Sequence, residues 1–183
     1  MKLNDCTAKD TIIAEPRSAD HLDPAVDLAL RVDHPAMPSG PAYRIGTEDI
    51  LVVVSNRAGL SALSPDQVRA IFSGGQSSWG KVDAAKSGKV QVWVYPPGDD
   101  VEAAFEGALL NGAAITSLAR LANTPEEMAQ AIASDGSAIG VIPGPWKTGD
   151  LTTVLAAATV PVLALTHGEP SGAVRQLLGC TAK

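Results

Sequence analysis

The stretch from Asp49 to Trp79 constrains this chain more than any other, because it states a strand, a helix start and a helix stop within thirty-one residues. Ile50 to Val54 is an unbroken apolar run, four of its five residues β-branched. Such a run suits a short strand covered on both faces. Ser64 precedes Pro65, Asp66 and Gln67. A hydroxyl at the cap, proline at the first helical position and Gln67 three residues on predict a capping box. Val68, Ile71 and Phe72 give the helix its apolar face, and Gly74-Gly75 ends it, since glycine takes the left-handed conformation without a Cβ penalty.

The same alternation continues through the chain. Val26–Val32 predicts a strand, Asp33–Pro41 a proline-rich loop, and Ala42–Ile45 an extended return. Val90–Tyr95 alternates at period two, a strand pattern, and Pro96-Pro97-Gly98 stops it. Asp99 or Asp100 is placed to cap a helix to about Leu110, ended by Asn111-Gly112. Ala113–Ala122 has helical spacing. Thr124-Pro-Glu-Glu127 predicts a second capping box and a helix to about Ser134. Ala138–Ile142 is a buried strand, Pro143–Gly149 a rigid loop, Thr152–Ala158 and Val160–Leu165 two more strands, and Glu169–Leu178 a last helix. Thr11–Ala14 is a further short strand. Pro161, near the start of the Val160–Leu165 strand, argues for a position at a sheet edge or just inside one. Strands alternating with helices predict an α/β sandwich with mostly parallel sheets.

Composition removes several function classes. With 45% hydrophobic and 19% charged residues the chain is not a disordered one. A net charge of −6 leaves no electrostatic footprint for nucleic acid. No apolar run reaches the roughly 20 residues of a membrane helix, and Met1–Asp10 lacks the apolar segment of a signal peptide. The location is therefore cytosolic, or the chain is a secreted one with its leader removed. No Walker loop, dinucleotide fingerprint or nucleophile elbow occurs, so neither a cofactor nor an enzyme activity is expected. His21, His34 and His167 lie apart in loops, and His21 with Asp20 and Asp23 matches no standard metal spacing.

"LSPDQVRAIFSGGQSSW" resembles a segment of the phosphate-type periplasmic substrate-binding proteins, through Leu63, Ser64, Gln67, Ile71, Phe72, Ser73, Gly74 and Trp79. "IASDGSAIGVIPGPW" and "VPVLALTHGEPSGAVRQLLGC" resemble later strands and the closing helix of that family, so the likeness runs from about Asp27 to the C-terminus. It implies a two-lobed periplasmic-binding-protein-like fold. A main α/β lobe would span residues 46–159, and a reduced first lobe residues 1–45 and 160–183. It implies an extracytoplasmic protein, periplasmic or extracellular, that captures a small solute, an oxyanion such as phosphate among the candidates, for an ABC-type membrane transporter. Closure would hinge near Asp49–Ser55 and Val160–Leu163. The alternative is a non-catalytic protein-interaction module that keeps the scaffold and has lost ligand binding.

The resemblance also nominates residues. The family's anion loop corresponds to Pro97, Gly98, Asp99 and Asp100, so two carboxylates stand where the helix N-terminus would hold an oxyanion. They are either ordinary acidic caps or acceptors for a cationic, hydroxylated or protonated ligand. Arg17 and Ser18 follow the first strand. Ser55, Asn56 and Arg57 follow the opening strand, and Trp146 and Lys147 follow Ala138–Ile142, at the strand ends where an open α/β sheet places ligands. In the family both termini belong to one lobe, so Cys6 and Cys180 could pair. The bridge would contribute on the order of 4–5 kcal/mol by the chain-entropy account and imply an oxidising compartment. Two unrelated thiols are the other reading.

Overall fold

The computed structural model describes residues 25–32 and 40–181. The expected Thr11–Ala14 strand, Arg17, Ser18, Cys6, His21 and His34 lie outside them, and with Cys6 lies the expected pairing to Cys180. Among the described residues six strands form the sheet: β1 (Ala29–Val32), β2 (Ala42–Ser55), β3 (Gln91–Val94), β4 (Arg120–Leu121), β5 (Ala138–Pro143) and β6 (Leu151–Leu165), in the order β1-β6-β2-β5-β3-β4. The helices are α1 (Pro65–Phe72), α2 (Asp100–Phe105), α3 (Pro125–Ser134) and α4 (Gly172–Thr181). The fold is an open α/β one, as the alternation predicts, but the sheet is mixed. β3 runs parallel to β4 and β5, whereas β2 is antiparallel to β5 and β1 antiparallel to β6.

The chain divides into two compact units, residues 1–48 with 160–183 and residues 49–159. Both divisions fall inside a long strand. Ala42–Ile45 and Ile50–Val54 are one continuous β2, and the two strands expected between Thr152 and Leu165 are one continuous β6. Pro161 is accordingly in an interior strand, just before the run Val162–Leu165 that pairs with β1.

The larger unit carries the core. Ile50, Val52, Val53 and Val54 are buried, and so is all of β5. That follows from strands covered on both faces, which cannot alternate polar and apolar residues. α3 lies directly on β5 because Gly140 has no side chain. A Cβ there would come within 2.7 Å of Met128 Sδ and 2.8 Å of Ile132 Cδ1. Phe72 of α1 and Phe105 of α2 pack tilted, with centroids 4.5 Å apart, a geometry worth about 0.5–1.5 kcal/mol beyond burial.

The helix boundaries obey local chemistry. Ser64 Oγ accepts the Gln67 amide at 3.2 Å while Gln67 Oε1 accepts the Ser64 amide at 2.8 Å, the full reciprocal box. Gly74, at φ 82°, follows α1. At α3, Thr124 Oγ1 accepts the Glu127 amide at 3.1 Å, but Glu127 reaches one residue further back, to the Asn123 amide at 2.8 Å. Asp99, not Asp100, caps α2. α2 then widens into a π-helical turn, Glu106–Leu110, where Arg69 Nε donates to the Leu109 carbonyl at 2.7 Å.

Ala113–Ala122 is not a helix. It is an irregular segment leading into β4, tied to α1 by the Thr116 amide on the Phe72 carbonyl at 2.8 Å. Its apolar spacing faces no core: Leu118 and Leu121 are exposed. Periodicity alone cannot supply the tertiary burial that stabilises a short helix.

In the smaller unit, the Thr166 amide donates to the Pro41 carbonyl at 3.1 Å, and the buried Thr166 hydroxyl donates to Gly168 O at 2.8 Å. Arg175 of α4 donates from Nε to the Pro170 carbonyl at 3.1 Å.

Candidate functional site

Strand direction sorts the nominated residues of the larger unit into two groups. Ile50 pairs with Pro143 and Val54 with Ile139, so the end of β2 lies beside the start of β5. β3 is parallel to β5, so the ends of β3 and β5 share the opposite edge. Ser55, Asn56 and Arg57 therefore stand at one edge of the sheet and Asp99 and Asp100 at the other. They stand apart because the opening strand is antiparallel to its neighbour. Residues 144–146 form a single 3-10 turn after β5. The loop holding Trp146 and Lys147, both exposed, runs from Pro143 back to Gly149 and Asp150, whose carbonyls accept from Asn56.

The Ser55–Arg57 edge borders an open depression of about 360 Å³, shared with Gln130, Ala133, Ser134 and Asp150. Its nominated side chains are already engaged. Asn56 Nδ2 donates to Gly149 O at 2.6 Å and Asn56 Oδ1 accepts from Thr152 Oγ1 at 2.6 Å. Arg57 Nη2 donates to the Ala133 carbonyl at 2.7 Å, near the C-terminal end of α3, where a cation also complements the helix dipole. Ser55 Oγ accepts the Arg57 amide at 3.3 Å.

The edge at the end of β3 is chemically different. Asp99 Oδ1 accepts the Val101 amide at 2.9 Å and the Glu102 amide at 3.2 Å, so the first turn of α2 already holds a carboxylate. Glu102, which no sequence motif singled out, is 5% exposed. Its Oε2 accepts the Tyr95 amide at 2.8 Å, closing the end of β3 onto α2. Oε1 has no protein partner, nor does the hydroxyl of buried Tyr95. Burial, reinforced by Glu106 and Asp99, raises the Glu102 carboxyl to about 7 despite the opposing hydrogen bond from the Tyr95 amide. Burial also raises the Tyr95 phenol, with Asp99, Glu102 and Glu126 acting in the same direction. Nearby, Arg120 of β4 lies over the Trp93 ring at 5.7 Å from its centroid. The signal that could have marked Glu102 is its place three residues after the Asp99 cap, where an acid ordinarily turns back toward the helix start.

Among the described residues no group of three or more His, Cys, Asp or Glu side chains is placed to hold a metal ion, and no helix is long and apolar enough to cross a membrane.

No protein-family profile and no curated protein matches the chain. Solved structures do. A structure from Clostridium perfringens, described as a phosphate ABC transporter substrate-binding protein with bound phosphate, superposes with a TM-score of 0.75 at 12% identity, over 84% of this chain and 71% of that one. An ABC-type phosphate transport receptor from Vibrio cholerae gives 0.62 at 13% identity, over 85% and 73%. The OxyR2 regulatory domain from Vibrio vulnificus gives 0.57 at 14%, over 86% and 70%. The chain thus has the periplasmic-binding-protein-like α/β fold and resembles, in structure, the phosphate-type substrate-binding proteins.

Proposed function

We propose that this protein is an extracytoplasmic solute-binding protein that captures a small molecule and presents it to an ABC-type membrane transporter. The observation that carries the reading is the 0.75 TM-score superposition on the phosphate-bound Clostridium perfringens protein. In this reading residues 46–159 are the main lobe, and residues 1–45 with 160–183 a reduced first lobe. The solute meets the main lobe at the ends of β3 and β5, the edge where parallel strands of open α/β sheets present ligand groups. Arg17 and Ser18 belong to the same reading as contacts from the first lobe, and a Cys6–Cys180 bridge would suit an oxidising compartment.

The chemistry of the β3 edge favours a neutral or cationic solute over phosphate. An oxyanion at the first turn of α2 would displace or oppose the Asp99 carboxylate, which already accepts two of that turn's amides. Asp99 and Asp100 supply acceptors for hydroxyl or ammonium donors. The Ser55–Arg57 edge is, in this reading, a structural one, its side chains joining β2 to α3 and β6.

A thermal-shift panel of phosphate, sugars, amino acids and polyamines tests the proposal, since a ligand that binds only the folded state raises the melting temperature by mass action. A saturable shift with a neutral or cationic solute, lost in Asp99→Asn or Asp100→Asn, is the expected result. A phosphate shift would reverse the assigned ligand class. No shift across the panel would favour the interaction module instead. Intact mass with and without reductant, differing by two hydrogens, tests the disulfide; equal masses reject it.

A further inference from the structure

Among the described residues, Glu102 is the one buried carboxylate, and its surroundings carry chemistry that neither the fold nor the ligand reading uses. It joins two elements, since the side chain belongs to α2 and Oε2 takes the amide of Tyr95 just past the end of β3. One oxygen is satisfied and the other, Oε1, is buried with no protein partner. An ionised carboxylate in that position would hold a buried charge on one hydrogen bond, an arrangement that costs several kcal/mol in general. The charged groups acting on it are the acids at the two caps of its own helix, Glu106 and Asp99, and Tyr95 faces it from just past the end of β3. Glu126, on the first turn of α3, adds another acid facing the Tyr95 phenol. Burial, Glu106 and Asp99 disfavour a charge on Glu102, and the Tyr95 amide alone favours one.

We propose that Glu102 is a proton-responsive latch: with its carboxyl protonated it clamps the end of β3 to the first turn of α2, and on ionisation it loosens that clamp. The direction follows from which form the site tolerates. A neutral carboxyl leaves Oε2 as a carbonyl acceptor for the Tyr95 amide and removes the uncompensated charge. An anion is a stronger acceptor for the Tyr95 amide but loses its solvation and is opposed by Glu106 and Asp99. Burial places the change near neutral pH. The segment the latch controls, Pro96–Asp100, connects the two clamped elements, so proton uptake sets how tightly it is held whether or not a solute binds there.

Carboxyl-detected nuclear magnetic resonance on the whole chain, from pH 4.5 to 8.5, reads the latch directly. The Glu102 Cδ resonance should titrate between pH 6 and 8, and the Tyr95 amide should move with the same midpoint. Protection of that amide from exchange, corrected for intrinsic rate, should fall about tenfold from pH 6 to pH 8. Glu102→Gln should abolish the Tyr95 transition and leave the Ser64 amide, held by the non-titrating Gln67 side chain, as in the unsubstituted chain. A Glu102 resonance titrating below pH 5.5 overturns the proposal, as does a Tyr95 transition that survives in Glu102→Gln. If that variant does not fold, the wild-type carboxyl titration decides alone.

Discussion

The two polar edges of the larger unit differ in residue type, one carrying Ser55, Asn56 and Arg57 and the other Asp99, Asp100 and Glu102, and in what folding leaves unspent. At Ser55–Arg57 the side chains close the structure on itself, with Asn56 bonded to Gly149 and Thr152 and Arg57 to Ala133. At the end of β3 two buried oxygens, Glu102 Oε1 and Tyr95 Oη, find no partner among the described residues. The first edge is concave and satisfied, the second buried and unsatisfied. Buried polar groups are nearly always paired, so an unpaired one says more about function than a depression lined by groups already in use.

Breaking the β3 edge should have the largest effect. Glu102→Ala strands the Tyr95 amide without its acceptor and opens a cavity, and should cost about 2–3 kcal/mol at pH 6 by denaturant unfolding. A loss under about 0.5 kcal/mol would put the edge on a par with ordinary surface.

Changing pH should come next. The folded Glu102 carboxyl sits near 7, above its ordinary value of 4.5, so the fold binds the proton more tightly than the unfolded chain does. Its contribution is fully present below pH 4.5 and is lost as pH rises through about 7, a decline on the order of 3 kcal/mol. Glu102→Gln should flatten that decline, and a profile unchanged by the substitution would remove Glu102 as its source.

The satisfied edge should respond less. Arg57→Ala removes an exposed side chain's bond to a helix-terminal carbonyl and should cost about 1 kcal/mol with no effect on solute binding. A variant of full stability that loses binding would move the site to this edge. Ser64→Ala, which breaks the capping box of α1 away from both edges, should cost about 1 kcal/mol.

The smallest effect separates the edges most sharply. Tyr95→Phe deletes a hydroxyl without a protein partner and should change stability by less than about 0.5 kcal/mol, or raise it. A loss above 1 kcal/mol would mean that the hydroxyl is held by a bound molecule.

Local chemistry made much of the fold legible. Ser64, Pro65 and Gln67 specify a helix start through bonds spanning three residues, and those bonds form. The unbroken run Ile50–Val54 is a strand buried as such runs require. Ala113–Ala122 misled because helical spacing states only which residues could share a face, and no core lies opposite Leu118. The candidate site was less legible. Asp99 was nominated as a cap and is one, yet Glu102 looked like any acid in a helical first turn.

The sequence by itself determined where elements start and stop, because caps, glycines and β-branched runs act over a few residues. Only the tertiary structure decided which edge each loop occupies, since strand direction depends on partners distant in the chain. It also decided that Glu102 loses its water, because desolvation belongs to the packed ensemble of β3, α2 and their neighbours rather than to any residue read alone.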